Sequence, residues 1–337
     1  MERGTWSIDE AAASACMARL QSASMICLPT HQNIDADGFG SALAMSHALR
    51  RLDISSFVLI SDGKLPDSLR FLPGSSQAVI YGQDEIPAYD LLCMVDCSDR
   101  KRLGNFYQDD PSRVEGETPI VNIDHHITND HFGVVNIVEP RAAATAEILT
   151  VLLDVWGIEK TVPVAQCLLA GIYGDTLGLR TESTTSRTMR MAADLVDSGA
   201  NPTSITDALF RLKPASTVCL WRHALEKTSW TGSLIWTIIS REMLESCGAD
   251  ASEAEGIVNF LAGTHGSRAA AILHENDQGW RVSMRSMTSD VDVAAIAAEF
   301  GGGGHPRAAG CQVTGGESGR DHFLSIVAER IGRKPVA

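Results

Sequence analysis

His31-Gln32-Asn33-Ile34-Asp35-Ala36-Asp37-Gly38 places one imidazole and two carboxylates within seven residues. The apolar run Met25-Ile26-Cys27-Leu28 leads into it, and a helix-like segment over 39–52 leads out. A strand, a ligand-rich turn and a helix, in that order, is how open α/β sheets present chemistry at the carboxyl ends of their strands. Three later stretches share the layout. Asp96 follows the apolar run 91–95, Asp124-His125-His126 follows 120–123, and Asp175 closes a helical segment begun near Val162. All four are expected to converge on one centre.

The chain has 337 residues, enough for two domains with separate cores. With 44% hydrophobic and 21% charged residues it has the composition of an ordinary globular protein. The net charge of -14 argues against a basic track for long duplex nucleic acid, but leaves room for a small anionic substrate held by metal ions and a few arginines. No apolar run reaches the ~20 residues that span a bilayer, so no membrane partner is expected. The N-terminus lacks a basic-then-apolar leader, and a cytoplasmic location follows. The eight cysteines show neither a CxxC pair nor a disulfide-framework spacing, so all are expected as reduced thiols.

Read in order, Ser7 caps a first helix that runs to about Gln21, with Glu10 completing a capping box. Strands are expected over 25–28, 56–60, 78–81, 91–95, 120–123 and 134–138, with a surface loop over 109–118. Helices are expected over 142–156, 162–173 and 185–198. Strands alternating with helices imply an α/β fold with a doubly wound, mostly parallel sheet. Gly199-Ala200-Asn201-Pro202 is a break. Helical segments over 204–211 and 216–230 follow, and Trp156, Trp221 and Trp230 read as packing anchors in helices. A second, smaller α/β block begins near Leu234. It has strands over 234–240, 269–274, 280–286 and 311–314, helices over 252–262 and 291–300, and a last helix from about Arg320. Asn276-Asp277-Gln278-Gly279 reads as a hairpin turn. The expected organisation is a catalytic domain over 1–199, a helical linker over 200–231 and a substrate-binding domain over 232–337, with the active site in the cleft between the domains.

His and Asp at adjacent strand ends are hard and borderline donors that suit Mn²⁺ or Mg²⁺. Asp35, Asp37, Asp96 and Asp175 carry four negative charges that two divalent ions would cancel. Without ions, such a cluster repels itself and raises its own pKa values. Two ions about 3.5–4 Å apart can clamp the attacking and leaving oxygens of a phosphoryl displacement. Each piece alone has an ordinary structural reading: Asp-x-Asp-Gly as a turn, Asp96 or Asp175 as a helix cap, Asp-His-His as a solvated loop. Their joint placement, each after a separate apolar element, argues for a shared centre.

The chain resembles the DHH–DHHA1 phosphoesterases, the group of short-oligoribonucleotide exonucleases and 3′-phosphoadenosine-5′-phosphate phosphatases. The residues that carry the likeness are His31-x-Asn-x-Asp35-x-Asp37-x-x-Gly40-Ser41, Val95-Asp96, Asn122-Ile-Asp124-His125-His126, Gly174-Asp175-Thr176, and Gly302-Gly303-Gly304-His305-x-x-Ala308-Ala309-Gly310. The likeness covers nearly the whole chain. It implies that His31, Asp35 and Asp96 hold one metal, and that Asp37, Asp96, His125 and Asp175 hold a second, with Asp96 bridging. It implies two divalent ions, manganese first and magnesium or another divalent ion next. His126 would face the scissile phosphate, and Asp124 would orient a ligand histidine. Ile34 stands where the family usually has proline, and Leu177-Gly178-Leu179 departs from a commoner aromatic-containing stretch; neither change removes a ligand.

In the second domain the glycine run before His305 lets a ligand approach the backbone closely. By the family likeness Gly303, Gly304 and His305 would grip the far end of a substrate, joined by Arg285, whose guanidinium can pair with phosphate. Taken alone, Arg285 reads as a surface ion pair. His47, His223, His265, His274 and His322 have no ligand-like neighbours and read as structural or solvated. The expected activity is hydrolysis of short oligoribonucleotides, of 3′-phosphoadenosine-5′-phosphate, or of both, by a chain that could form a homodimer. The alternative on the same scaffold is a cyclic-dinucleotide or linear-dinucleotide phosphodiesterase of the c-di-AMP type. A catalytically inactive nucleotide-binding regulator is more remote, because no ligand is missing.

Overall fold

The computed structural model of the chain describes residues 6–254 and 256–332. It divides into two compact units, Met1–Leu212 and Lys213–Ala337. The segment read as a linker carries the last helix of the first unit and the first helix of the second.

The first unit runs α1 (Glu10–Ser22), β1 (Ile26–Pro29), α2 (Ala36–Arg50), β2 (Ser56–Ile60), β3 (Val79–Ile80), β4 (Leu91–Val95), α3 (Gly104–Gln108), α4 (Ser112–Glu115), β5 (Ile120–Asp124), β6 (Val135–Val138), α5 (Thr145–Val155), α6 (Val162–Thr176), α7 (Ser186–Asp197) and α8 (Pro202–Thr206). A π-turn over Asp207–Arg211 ends it. Its six strands pair in parallel in the order β3-β2-β1-β4-β5-β6. Both faces of the sheet are covered, as a parallel sheet requires. Side chains alternate between two cores: in β4, Leu91, Cys93 and Val95 join the cluster formed with α1, α2, α5 and α6, while Leu92 and Met94 join the other around Phe57 and Phe106. The order reverses between β1 and β4, the topological switch point where doubly wound folds open a crevice at the strand carboxyl ends.

Helices α2 and α6 pack antiparallel, and small residues set their spacing. A Cβ at Gly171 would lie 2.6 Å from Asp37 Oδ1 and 2.7 Å from Ala146 Cβ. Only a residue without a side chain allows this approach, and it brings the end of α6, with Asp175, beside the start of α2.

The second unit runs α9 (Ala215–Glu226), β7 (Ser229–Thr231), β8 (Leu234–Ile239), α10 (Arg241–Cys247), α11 (Ile257–Ala262), β9 (Ala269–Asn276), β10 (Gly279–Ser286), α12 (Val293–Ala298), β11 (Gly303–His305), β12 (Ala308–Val313) and α13 (Gly316–Ile331). The sheet order is β11-β12-β10-β9-β8-β7, antiparallel except for the parallel β8–β9 pair. The expected hairpin joins β9 to β10.

Several local readings need correction. The N-cap of α1 is Asp9, which accepts from Ala12 N, not Ser7; the carboxylate one residue before Glu10 serves the orphan amides directly. Trp230 lies in the edge strand β7, paired with Ile235, rather than in a helix. The helix expected over 252–262 is split into a 3₁₀ turn, Ala251–Ala254, and α11, with Gly256 at φ +92° breaking it and Glu255 outside the described residues. The loop over 109–118 holds the short helix α4. The reduced-thiol expectation fails at one pair: Cys219 and Cys247 form a disulfide, their Cα atoms 5.6 Å apart. Residues 28 apart on two packed helices leave no spacing signature to read. The other six cysteines are free and buried.

Candidate metal centre

The turn after β1 delivers His31, and Asp35 caps α2 by accepting from Gly38 N at 2.9 Å. His31 is 2% exposed. Its Nδ1 sits 2.7 Å from the Gln32 carbonyl, so Nδ1–H donates there and the ring is fixed. Nε2 then faces Asp35 Oδ1 at 3.5 Å and Asp96 Oδ2 at 3.4 Å. It is buried without a hydrogen-bond partner. A Cβ on Gly38 would stand 2.7 Å from this atom, so the residue over the imidazole has no room for a side chain.

Asp96 follows β4 with φ +58°, a left-handed conformation that Asp tolerates better than most residues. The Thr145 hydroxyl donates to its Oδ1 at 2.9 Å. Asp37 is fully buried. Thr145 N and Ala146 N donate to its two oxygens at 2.6 and 3.0 Å, so this carboxylate supplies the cap that Ala144 cannot give α5. Beyond β5, His125 Nε2 lies 3.1 Å from Asp175 Oδ2 and 3.6 Å from Asp96 Oδ1.

Three donor groups result, each with ligand atoms within 4.8 Å of one another: His31, Asp35 and Asp96; Asp37, His125 and Asp175; and Asp96, His125 and His126. Asp96 and His125 are each shared between groups. The first two groups are drawn from the residues the family likeness names, the second of them without Asp96. The electrostatics point the same way. Burial, then the neighbouring Asp96 and Asp175, push Asp37 well above the usual carboxylate range, and burial foremost raises Asp175. Burial alone would lower His31 and His125. The carboxylates beside them outweigh it and push both up to about 10. Carboxylates that resist ionising beside imidazoles that hold protons are what a site built for cations looks like without them. An enclosed nitrogen with no partner, a cradle closed to any Cβ, and oxygen and imidazole donors fit divalent ions.

Asp124, fully buried, accepts from His126 Nδ1 at 2.7 Å and from Asn129 Nδ2 at 2.7 Å. The histidine whose ring it orients is His126, which shares a donor group with Asp96 and His125; to His125 it offers an acceptor for the backbone N–H, at 2.8 Å. Despite burial, His126 and Asn129 hold its carboxyl low. Sequence reading missed Thr145 and Asn129. Thr145 acts on a carboxylate 49 residues away, Asn129 on one five residues away, and neither sits in a motif.

In the second unit Arg285 of β10 is opposite Ala308 of β12, which is opposite His305 of β11. Opposed residues share a face, so Arg285 and His305 stand in one row about 10 Å apart with only a methyl group between them. Arg285 Nε donates to Asn259 Oδ1 at 3.0 Å, which fixes the guanidinium. His305 is exposed, and Gly303 lies at the sheet edge where a Cβ would meet nothing within 4 Å. Gly304, at φ +144°, could not carry one without striking Ala308 O.

Among the described residues no helix is long and apolar enough to cross a membrane. The pattern of the DHH family, N-terminal domain, matches residues 25–172, and that of the DHHA1 domain matches residues 237–333. The chain is 32% identical over 316 residues to the bifunctional oligoribonuclease and PAP phosphatase NrnA of Thermus thermophilus, covering 91% of this chain and 90% of that protein. It is 26% identical over 299 residues to the NrnA of Bacillus subtilis, covering 86% and 89%. The crystal structure of an exopolyphosphatase-related protein from Bacteroides fragilis shares the fold, with TM-score 0.86 at 22% identity over 97% of this chain and 99% of that one.

Proposed function

The chain belongs to the DHH family of phosphoesterases, hydrolases of phosphoester bonds, and from that premise we propose that it cleaves short oligoribonucleotides and 3′-phosphoadenosine-5′-phosphate in the cytoplasm. The observation that carries this reading is the pair of donor groups around Asp96 and His125 at the switch point of the parallel sheet. His31, Asp35 and Asp96 would hold one divalent ion, and Asp37, Asp96, His125 and Asp175 the other. Manganese suits these donors best, with magnesium second. Bound there, the ions would supply Lewis acidity to a phosphoryl oxygen and to the attacking water.

The chain's own residues do the rest. Thr145 holds Asp96 and Asp37 in place through one hydroxyl and one amide. Asp124 anchors His126 by Nδ1, leaving Nε2 free to hand a proton to the leaving oxygen or to meet negative charge on phosphorus. His305, the glycine backbone beside it and Arg285 would bind the part of the substrate that does not react. An acidic chain suits a short anionic substrate better than a long duplex, whose affinity rests on many basic contacts.

The test is product chromatography after incubating the manganese-loaded chain with a diribonucleotide, a cyclic dinucleotide and 3′-phosphoadenosine-5′-phosphate. Mononucleotides from the first and AMP with phosphate from the last are expected. Turnover of the cyclic dinucleotide alone would replace this reading with the cyclic-dinucleotide phosphodiesterase.

A further inference from the structure

The second unit holds a donor cluster of different chemistry. Cys219 and His223 stand four residues apart on α9 and so share one helix face, and Cys247 ends α10, packed against it. One ligand atom from each of the three lies within 4.8 Å of the others, and all three residues are half-buried. The remaining cysteines are enclosed, and burial pushes Cys16 and Cys97 up to about 12 and Cys311 up to about 11, which leaves them protonated and unreactive. Cys219 and Cys247 are therefore the two sulfurs that are both paired and within reach of solvent.

Arg222 Nη2 donates to His223 Nε2 at 2.8 Å, and the ring's Nδ1 lies 3.8 Å from Glu226 Oε2. Arg222 is exposed, and its long chain can swing off that nitrogen without disturbing the core. An imidazole and two sulfurs are soft and borderline donors, unlike the oxygen-rich set of the first unit.

We propose that Cys219, His223 and Cys247 form a second metal site, selective for zinc and similar thiophilic ions, which exists when the two cysteines are thiols and is replaced by the disulfide when they are oxidised. A dithiol reductant supplies two electrons and two protons to the disulfide, giving two thiols and itself becoming a disulfide. Metal binding then releases both thiol protons as two sulfur–metal bonds form. Tetrahedral bonds of 2.3 Å would set the sulfurs about 3.8 Å apart, a separation reached by side-chain rotation with the two helices left in place. His223 supplies the third ligand, and solvent fills the fourth position at this half-buried site. Zinc and disulfide are thus exclusive ways of joining α9 to α10 across the β7–β8 hairpin.

Cobalt(II) tests this on the full chain, because it reports thiolate ligands by colour. The chain is reduced, stripped of metal and titrated with cobalt, which also enters the oxygen-rich centre of the first unit. Only a sulfur ligand gives a near-ultraviolet thiolate-to-cobalt charge-transfer band. The band is expected in the reduced chain, is bleached by zinc, and is absent from the oxidised chain and from the Cys219→Ser, Cys247→Ser double variant. His223→Gln should keep the band, shift the visible bands and weaken binding, while hydrolysis by the manganese-loaded variant stays at the wild-type rate. No charge-transfer band in the reduced wild-type chain overturns the site, and that arm needs no variant to fold. A band that survives in the double variant, or a His223→Gln chain indistinguishable from wild type in spectrum and affinity, also overturns it.

Discussion

Gly38→Ala should change sign with its surroundings. Gly38 is the third residue of α2 and has ordinary helical geometry, so alanine there gains up to about 1 kcal/mol of helix propensity. Against that, the new Cβ would lie 2.7 Å from His31 Nε2 and 2.9 Å from Cδ2. Ordinary carbon contacts start near ~3.5 Å, so the ring must retreat by about 0.8 Å into a packed site. Overpacking of this kind costs roughly 1–3 kcal/mol. In the wild-type background the metal-free chain should therefore lose about 0–2 kcal/mol. In a His31→Ala background the imidazole is gone, only Asp96 Oδ2 at 3.3 Å still crowds the new Cβ, and the same substitution should gain up to about 1 kcal/mol. At roughly 2–4 °C per kcal/mol for a unit of this size, the two melting shifts have opposite sign. The assay is thermal unfolding in chelator of the four members of the cycle, with metal content measured separately. Gly38→Ala should also lose metal, because bond lengths at such sites tolerate only about ±0.2 Å. Equal shifts in both backgrounds, or a full metal complement bound by Gly38→Ala, would refute the placement of His31 Nε2 as a ligand atom.

Asp96→Asn should leave the fold intact, since Asn also accepts a left-handed backbone, and should cut turnover to below about a tenth; a variant above that level removes Asp96 from the bridging role. Asp124→Asn should keep its metal while kcat falls about 10–100-fold, the usual loss when a partner that orients a site histidine goes; loss of metal instead would make Asp124 part of the donor set. In the metal-free chain His31 and His125, raised to about 10, stabilise the fold fully below about pH 6.5 and lose that contribution as pH climbs through 10. The melting point in chelator should accordingly fall from pH 6.5 upward, less steeply in His31→Gln, and added manganese should flatten the profile; a metal-free midpoint that rises over this range contradicts the geometry. His305→Ala and Arg285→Ala should lower kcat/KM on a diribonucleotide by about 2–4 kcal/mol and spare a small chromogenic phosphodiester, whereas equal losses on both substrates would put these residues in the chemical step.

The centre was legible because the fold prints its chemistry at fixed places. The buried strands β1 and β4 read as continuous apolar runs and β5 is interrupted only by Asn122 before its terminal Asp124; Asp96 follows β4 directly and His31 stands two residues past β1. What stayed hidden depends on contacts between distant residues. Thr145 opens a helix that carries no motif, and only folding sets its hydroxyl on Asp96, 49 residues away in sequence. Trp230 reads from sequence as the end of the helical segment that begins near Ser216, and the edge position of β7 is decided by pairing with β8. Ser7 and Asp9 are both capping types, so local chemistry could not choose between them. The Cys219–Cys247 bond follows from how α9 meets α10, and no spacing rule describes that.

The donor residues run from His31 to Asp175, interleaved with strands that pair out of sequence order: β1 must wait for β2 on one side and for β4, more than sixty residues later, on the other. During synthesis, therefore, a ribosome-bound chain that has not yet exposed Asp175 has only part of the proposed donor set, and one that has not yet exposed α5 also lacks the amides that Asp37 caps. Activity would then switch on late and all at once. A truncated translation product ending before α6 would be inert toward the proposed substrates however much of the sheet it had formed.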